Sequence, residues 1–148
     1  MLKTPYALLL LLLLAIYSCQ TPQQKVPDYK TIEQLLHAQT DEWNKGSIDG
    51  FMKGYWHSEE LKFITQRGIR MGYDSVSSSY KRNYNTPEKM GHLTFTDLGF
   101  TTLDASGEIV QCTGHWNVTG ANGSQSGMFS LLFKQIEGEW KIIVDHTW

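Results

Sequence analysis

The spacing of apolar residues changes near residue 92, and this change is the strongest constraint on the fold. Beyond that point apolar and polar residues alternate in four segments, as they do along half-buried β-strands. Short stretches of turn-forming residues separate the segments, so consecutive strands are expected to pair as an antiparallel meander. The predicted strands are His92–Leu103, Glu108–Val118, Gly127–Ile136 and Glu139–Trp148.

Helical spacing dominates the sequence before residue 92. Thr31–Gln34 has the form of a capping box, which predicts a helix that starts there and ends near Gly46. Ser47 is a suitable N-cap for a second helix, and a third is predicted from Asp74 to about Asn83. The second helix has the clearest amphipathic pattern, formed by Ile48, Phe51, Met52, Tyr55 and Trp56.

Two short segments lie between the second and third predicted helices. Leu61–Thr65 is a short apolar piece, and Gly68–Gly72 has the mixed composition of a turn region. The apolar faces of three helices need a partner, so we expect them to cover one face of the sheet. The sequence therefore predicts a single α+β domain in which helices pack within a curved antiparallel sheet.

The N-terminal residues have the layout of a secretory signal. Met1–Lys3 carries one positive charge and precedes an apolar run that contains seven consecutive leucines, Leu8–Leu14. This run of about ten residues is shorter than the roughly 20 that a membrane-spanning helix needs. The motif Ile16–Cys19 resembles a bacterial lipobox, which implies cleavage before Cys19 and acylation of that cysteine.

This resemblance predicts three segments. Residues 1–18 form a lipoprotein signal peptide, residues 19–28 form the lipidated cysteine and a polar tether, and residues 29–148 form the domain. Two other interpretations remain open: an ordinary cleaved signal, and an uncleaved anchor in which Cys19 is incidental. The second cysteine, Cys112, lies on a predicted strand and is interpreted as a small buried apolar residue.

The formal net charge of −2 excludes a strongly basic nucleic-acid-binding protein. Loss of residues 1–18, which hold Lys3 and no acidic residue, would take the charge to −3. We therefore expect no nucleic-acid partner and place the protein in the bacterial cell envelope, attached to the membrane through the N-terminal lipid.

The order of the predicted elements and three short motifs resemble the NTF2-like superfamily. The motifs are Trp43–Gly46 at the end of the first helix, Gly138–Ile142 at the start of the last strand, and Asp145–Thr147. The resemblance is greatest to the SnoaL-like and DUF4440-type branches. It implies a cone in which the curved sheet wraps around the helices and leaves an apolar pocket at its open end.

Several side chains are candidates for the wall and the chemistry of such a pocket. A carboxyl or imidazole group in an apolar cavity is suited to acid–base catalysis, and we take Asp145, His146 and His115 as candidate catalytic residues. Asp145 and His146 are adjacent on one strand and so face opposite ways unless a bulge intervenes. The predicted pocket-lining residues are Trp43, Phe51, Tyr55, Trp56, Tyr80, Tyr84, His92 and Trp116. Strand parity alone leaves open which face lines the pocket.

Three functions are compatible with these residues. The protein is expected to bind a small, largely apolar ligand in its pocket without transforming it. The alternative is an isomerase, dehydratase or cyclase with an Asp or His general base. The third is an assembly module in which the outer face of the sheet, rich in Thr, Phe and Trp, pairs in a homodimer. The histidines show no metal-ligand spacing, so neither a metal nor another cofactor is expected.

Overall fold

A computed structural model describes residues 25–121 and 123–148. The predicted signal peptide, Cys19 and most of the tether lie outside the described residues. The elements, in chain order, are α1 (Lys30–Asn44), α2 (Ile48–Met52), β1 (Lys62–Thr65), β2 (Gly68–Met71), α3 (Tyr73–Asn83), α4 (Pro87–Met90), β3 (His92–Thr102), β4 (Ile109–Gly120), β5 (Gly123–Ile136) and β6 (Glu139–Thr147).

The sheet has six strands in the order β2-β1-β6-β5-β4-β3. Strands β3 to β6 form the predicted antiparallel meander, and β1 joins its edge by pairing in parallel with β6. The α+β prediction is confirmed. Gly68–Gly72, which was predicted as a turn region, instead contains β2, because residues 68–71 pair with β1 as a hairpin.

The ends of the first two helices differ from the prediction. The predicted capping box is wrong, since α1 starts at Lys30 and Asp28 Oδ1 accepts a hydrogen bond from the Lys30 N–H (3.0 Å). The predicted Ser47 cap is confirmed, because its side chain accepts a hydrogen bond from the Gly50 N–H at 2.9 Å. α2 ends at Met52, so the residues that follow it are not helical.

The motif at the end of α1 fixes this helix to the start of β3. The Trp43 indole donates a hydrogen bond to the Met90 carbonyl (3.0 Å). The Asn44 amide donates to the Leu93 carbonyl (3.0 Å) and accepts from the Leu93 N–H (2.7 Å). Asn44 thus supplies the pair of hydrogen bonds that a neighbouring strand would supply, and this explains the polar residue at the end of the helix.

The core lies between the helices and one face of the sheet. Its fully buried members include Ile32, Leu36 and Met52 from the helical side and Phe133 and Ile142 from the strands. Cys112 is a free cysteine and fully buried, and burial raises the pKa of its thiol to about 12. A thiol with this pKa stays protonated at neutral pH, which suits the packing role predicted for Cys112.

No helix within residues 25–121 and 123–148 combines the length and apolar composition needed to cross a membrane.

Candidate functional site

The helices and the face of the sheet that they cover line an open cavity of about 460 Å³. Its wall is largely aromatic, with side chains from α1, α2, α3 and five of the six strands. The lining residues are Gln39, Trp43, Phe51, Tyr55, Phe63, Thr65, Gln66, Arg67, Ser79, Tyr80, Asn83, Tyr84, Leu93, Phe95, Trp116, Val118, Phe129, Leu131, Asp145, Thr147 and Trp148. The volume is within the range of small-molecule sites.

The chain that follows α2 brings Tyr55 into this cavity. It forms a parallel bridge with β6, in which the Ile142 N–H donates to the Gly54 carbonyl (2.9 Å) and the Trp56 N–H donates to the Ile142 carbonyl (3.0 Å). Gly54 also lies against α1, because a Cβ at this position would lie 2.7 Å from Gln39 Nε2. The backbone therefore holds Tyr55 on β6, close to Asp145.

A β-bulge decides that Asp145 faces the cavity. β6 shifts its register against β5 at Leu132 and Phe133, so that Ile143 is an extra residue in the strand. As a result Ile142 and Asp145, three residues apart, are both buried on the inner face. Strict alternation would have placed them on opposite faces.

Asp145 is the acidic group at the centre of the site. Its Cα pairs in register with Leu131 of β5 and Phe63 of β1, and its side chain is only 5% exposed. The Tyr55 hydroxyl donates a hydrogen bond to Asp145 Oδ2 at 2.7 Å. Burial among apolar groups raises the pKa of Asp145 to about 6, and the Tyr55 hydrogen bond limits this rise.

Three phenols and one guanidinium are the other titratable groups in the lining. The pKa of Tyr55 and that of Tyr80 lie well above their usual values, because both phenols are buried and near the negative charge of Asp145. Burial also raises the pKa of Tyr84, which the nearby charge of Arg67 partly offsets. All three phenols are therefore neutral hydrogen-bond donors at physiological pH.

Other polar side chains also belong to the wall, and Gln39 and Trp116 are two of them. The Gln39 amide donates a hydrogen bond to the Phe51 carbonyl (2.9 Å). Trp116 Nε1 is a buried side-chain polar atom that has no hydrogen-bond partner among the described residues. A buried unpaired donor is unusual, and here it belongs to a side chain of the cavity wall.

The structure places six of the eight predicted pocket residues in the lining: Trp43, Phe51, Tyr55, Tyr80, Tyr84 and Trp116. Trp56 and His92 are outside it, and both predictions are wrong. Trp56 does not share a face with Tyr55, because the helix that would have aligned them ends at Met52. His92 is exposed because its neighbour on β3, Leu93, takes the inward position.

The structure also separates the candidate catalytic residues. Asp145 lines the cavity, but His115 and His146 lie outside it and are exposed. His115 alternates with Trp116 along β4, and its Nδ1 lies 3.2 Å from Asp97 Oδ2. His146 alternates with Asp145, so neither histidine can pair with that carboxyl as an acid–base dyad.

Several lining residues were missed at the sequence level. Phe95, Phe129 and Leu131 lie on predicted strands, and strand parity could have grouped each with the inner face. Phe63 and Arg67 come from the short β1–β2 hairpin, which gave no clear pattern. Across the described residues, no group of three or more His, Cys, Asp or Glu side chains is placed to hold a metal ion.

Solved structures resemble this fold closely. An NTF2-like protein of unknown function from Shewanella oneidensis is 34% identical, with a TM-score of 0.75 over 80% of this chain and 96% of that one. An NTF2-like protein from Pseudomonas putida is 14% identical (TM-score 0.64, 78% and 82% covered). An NTF2-like superfamily protein from Salmonella enterica is 16% identical (TM-score 0.62, 80% and 88% covered).

Helices packed on a curved, open sheet with a cavity between them define the cone-shaped α+β class. Together with the identity to the Shewanella protein, this architecture shows that the chain belongs to the NTF2-like family. No protein-family model matches the sequence, and no curated protein matches it significantly. The family therefore establishes the fold, while any function must be argued from the site.

Replacement of Asp145 by Asn tests the environment of the carboxyl group. The pKa of Asp145 is about 6 in the folded protein, whereas the ordinary value for a solvated aspartate, as in the unfolded chain, is 3.8. Folding therefore favours the protonated form, and the Asp145 contribution to stability falls as the pH rises through this window. Between about pH 4 and pH 7.5, the free energy of unfolding of Asp145→Asn should rise relative to wild type by up to about 3 kcal/mol.

Urea unfolding at the two pH values measures this difference, and Asp41→Asn on the exposed surface of α1 is the matched control. A constant difference between wild type and Asp145→Asn at both pH values would show that the carboxyl group is solvated.

Proposed function

We propose that the protein binds a small, largely apolar molecule in the cavity and that this binding is its function. The observation that carries the proposal is an aromatic cavity of about 460 Å³ with one buried carboxyl group. Such sites hold ligands by apolar burial and orient them through a few polar groups. Asp145 and the phenol of Tyr80 are among the polar groups of the lining that a bound polar atom would meet.

A bulky side chain in the cavity tests this proposal. Ser79 of α3 lines the cavity, whereas the adjacent Ser78 is exposed and outside it. Ser79→Trp should weaken binding of the neutral fluorescent probe N-phenyl-1-naphthylamine by about tenfold or more, because the indole would occupy the space. Ser78→Trp is the matched control and should bind the probe as wild type does. Equal affinities in all three proteins would contradict a ligand-binding cavity.

We further propose that the domain is attached to the bacterial cell envelope by acyl chains on Cys19. The charged and apolar N-terminal layout and the motif Ile16–Cys19 support this proposal. Several buried acyl chains would hold the domain on the membrane stably, at about 0.8 kcal/mol for each methylene group.

Labelling with radioactive palmitate in a bacterial host tests the anchor. Cys19→Ala should lose the label, whereas Cys112→Ala should keep it, because the Cys112 thiol is buried and protonated. Equal incorporation into Cys19→Ala and wild type would contradict lipidation at this cysteine.

A second candidate function is proton transfer by Asp145, as in an isomerase, dehydratase or cyclase. The pKa of about 6 favours it, because a general base works best when its pKa is close to the operating pH. Tyr80 could then donate a hydrogen bond to a substrate oxygen. His115 and His146 are not part of this alternative, since both lie outside the cavity.

Exchange of the α-protons of 2-tetralone in heavy water tests this alternative. Wild type should accelerate the exchange seen by proton NMR, and Asp145→Asn, which keeps the shape of the side chain, should lose the acceleration. The same exchange rate with both proteins would contradict proton transfer by Asp145.

We also propose a homodimer through the outer face of the sheet and no nucleic-acid partner. The expected contribution of Phe and Trp to that face is wrong, because Phe95, Trp116 and Phe129 line the cavity. Exposed Thr113 and Met128 belong to the outer face instead. A sedimentation mass of a single chain at high protein concentration would contradict the dimer.

A further inference from the structure

The carboxyl group of Asp145 has no cationic partner within the part of the chain that the structure describes. Among the described residues, no lysine, arginine or histidine forms an ion pair with it. Tyr55 donates to Oδ2, and the other oxygen, Oδ1, accepts no hydrogen bond from the described residues. A buried carboxylate with one neutral donor lacks most of the compensation that such a charge requires.

Much of the wall of the cavity that holds this carboxyl group consists of aromatic rings. Trp43 lies 4.7 Å from Tyr84 and 5.2 Å from Phe51, measured between ring centroids. Tyr80 lies 5.2 Å from Phe51 and 5.6 Å from Phe63. All five rings line the cavity. Aromatic faces attract cations, and this attraction is strongest where water is excluded.

We propose that the ligand is a small organic amine, with an apolar body among the rings and one protonated nitrogen against Asp145 Oδ1. This inference rests on the ligand-binding function proposed above and names the chemical class of the ligand. The ammonium group would donate a charge-assisted hydrogen bond to Oδ1 and supply the positive charge that no described residue places against it. The aromatic rings would also attract a cation through cation–π interactions, and a neutral or anionic group would not gain this attraction.

The other charged group of the lining is compatible with this assignment. Burial raises the pKa of Tyr84, and the charge of Arg67 partly offsets this rise. The pKa of Asp145 is set instead by burial and by the hydrogen bond from Tyr55. Tyr55, Tyr80 and Tyr84 are the remaining titratable groups that face the cavity, and all are neutral near pH 7. Among the groups that line the cavity, Asp145 is thus the one whose ionisation changes the charge of the cavity near neutral pH.

A series of three naphthalene probes of similar size tests the proposal. Calorimetry with the purified full-length chain at about pH 7.5 compares 1-naphthylmethylamine, which is cationic, with neutral 1-naphthalenemethanol and anionic 1-naphthoate. The amine should bind about tenfold more tightly than the alcohol, and the naphthoate should bind most weakly. Asp145→Asn should bring the affinities of the amine and the alcohol to within about twofold.

The wild-type protein gives a second readout that does not depend on how the variant folds. Lowering the pH from about 7.5 to about 5 protonates Asp145, so the affinity for the amine should fall while that for the alcohol stays constant. Tyr55, Tyr80 and Tyr84 stay neutral over this range, because the pKa of each phenol is raised above its usual value.

The outcomes separate the two proposals. Equal binding of the amine and the alcohol, both lost in Ser79→Trp, would overturn amine specificity and leave the ligand-binding function standing. Tighter binding of the naphthoate would overturn amine specificity as well. No binding of any probe would contradict both proposals.

Discussion

The hydrogen bond between Tyr55 and Asp145 joins the segment that follows α2 to β6 in the interior of the sheet, and the candidate site depends on it. A carboxyl group loses its hydration when it is buried, and this loss must be offset by donors or by protonation. Here the protein supplies one phenolic donor at 2.7 Å. This partial compensation accounts for an Asp145 pKa of about 6 and leaves one oxygen available to a ligand.

Two irregularities of the backbone produce this arrangement. The bulge at Ile143 turns Asp145 inward, and the bridge between Gly54–Trp56 and Ile142 holds Tyr55 beside it. Both occur at the same point of β6, so one short stretch of strand positions the acid and its donor. Leu131 and Phe63, which pair in register with Asp145, add apolar side chains to the same wall of the cavity.

The architecture could be predicted from the sequence because it depends on periodicity. Strands β3 to β6 and helix α3 have regular patterns over nine or more residues, so their limits were predicted to within a few residues. The hairpin of β1 and β2 was only partly predicted, because strands of four residues give too little alternation to detect. Its pairing with β6 is set by tertiary contacts.

The site could be predicted only in part, for a different reason. The aromatic residues Trp43, Phe51, Tyr80 and Trp116 follow the period of their elements and were assigned to the cavity from the sequence. The orientation of Asp145 was left open, since a bulge of one residue reverses strand parity and has no composition signal here. The same reversal places His146 outside.

The ionisation of Asp145 is the most direct test of this account. A carbon-13 NMR titration of the side-chain carboxyl groups, with the Asp145 resonance assigned by its loss in Asp145→Asn, measures its pKa in the folded protein. The account predicts a midpoint near 6, well above the ordinary value of 3.8. A midpoint at or below 3.8 would show that the carboxyl group is hydrated or paired with a cation, and would contradict an unpaired acid in an apolar cavity.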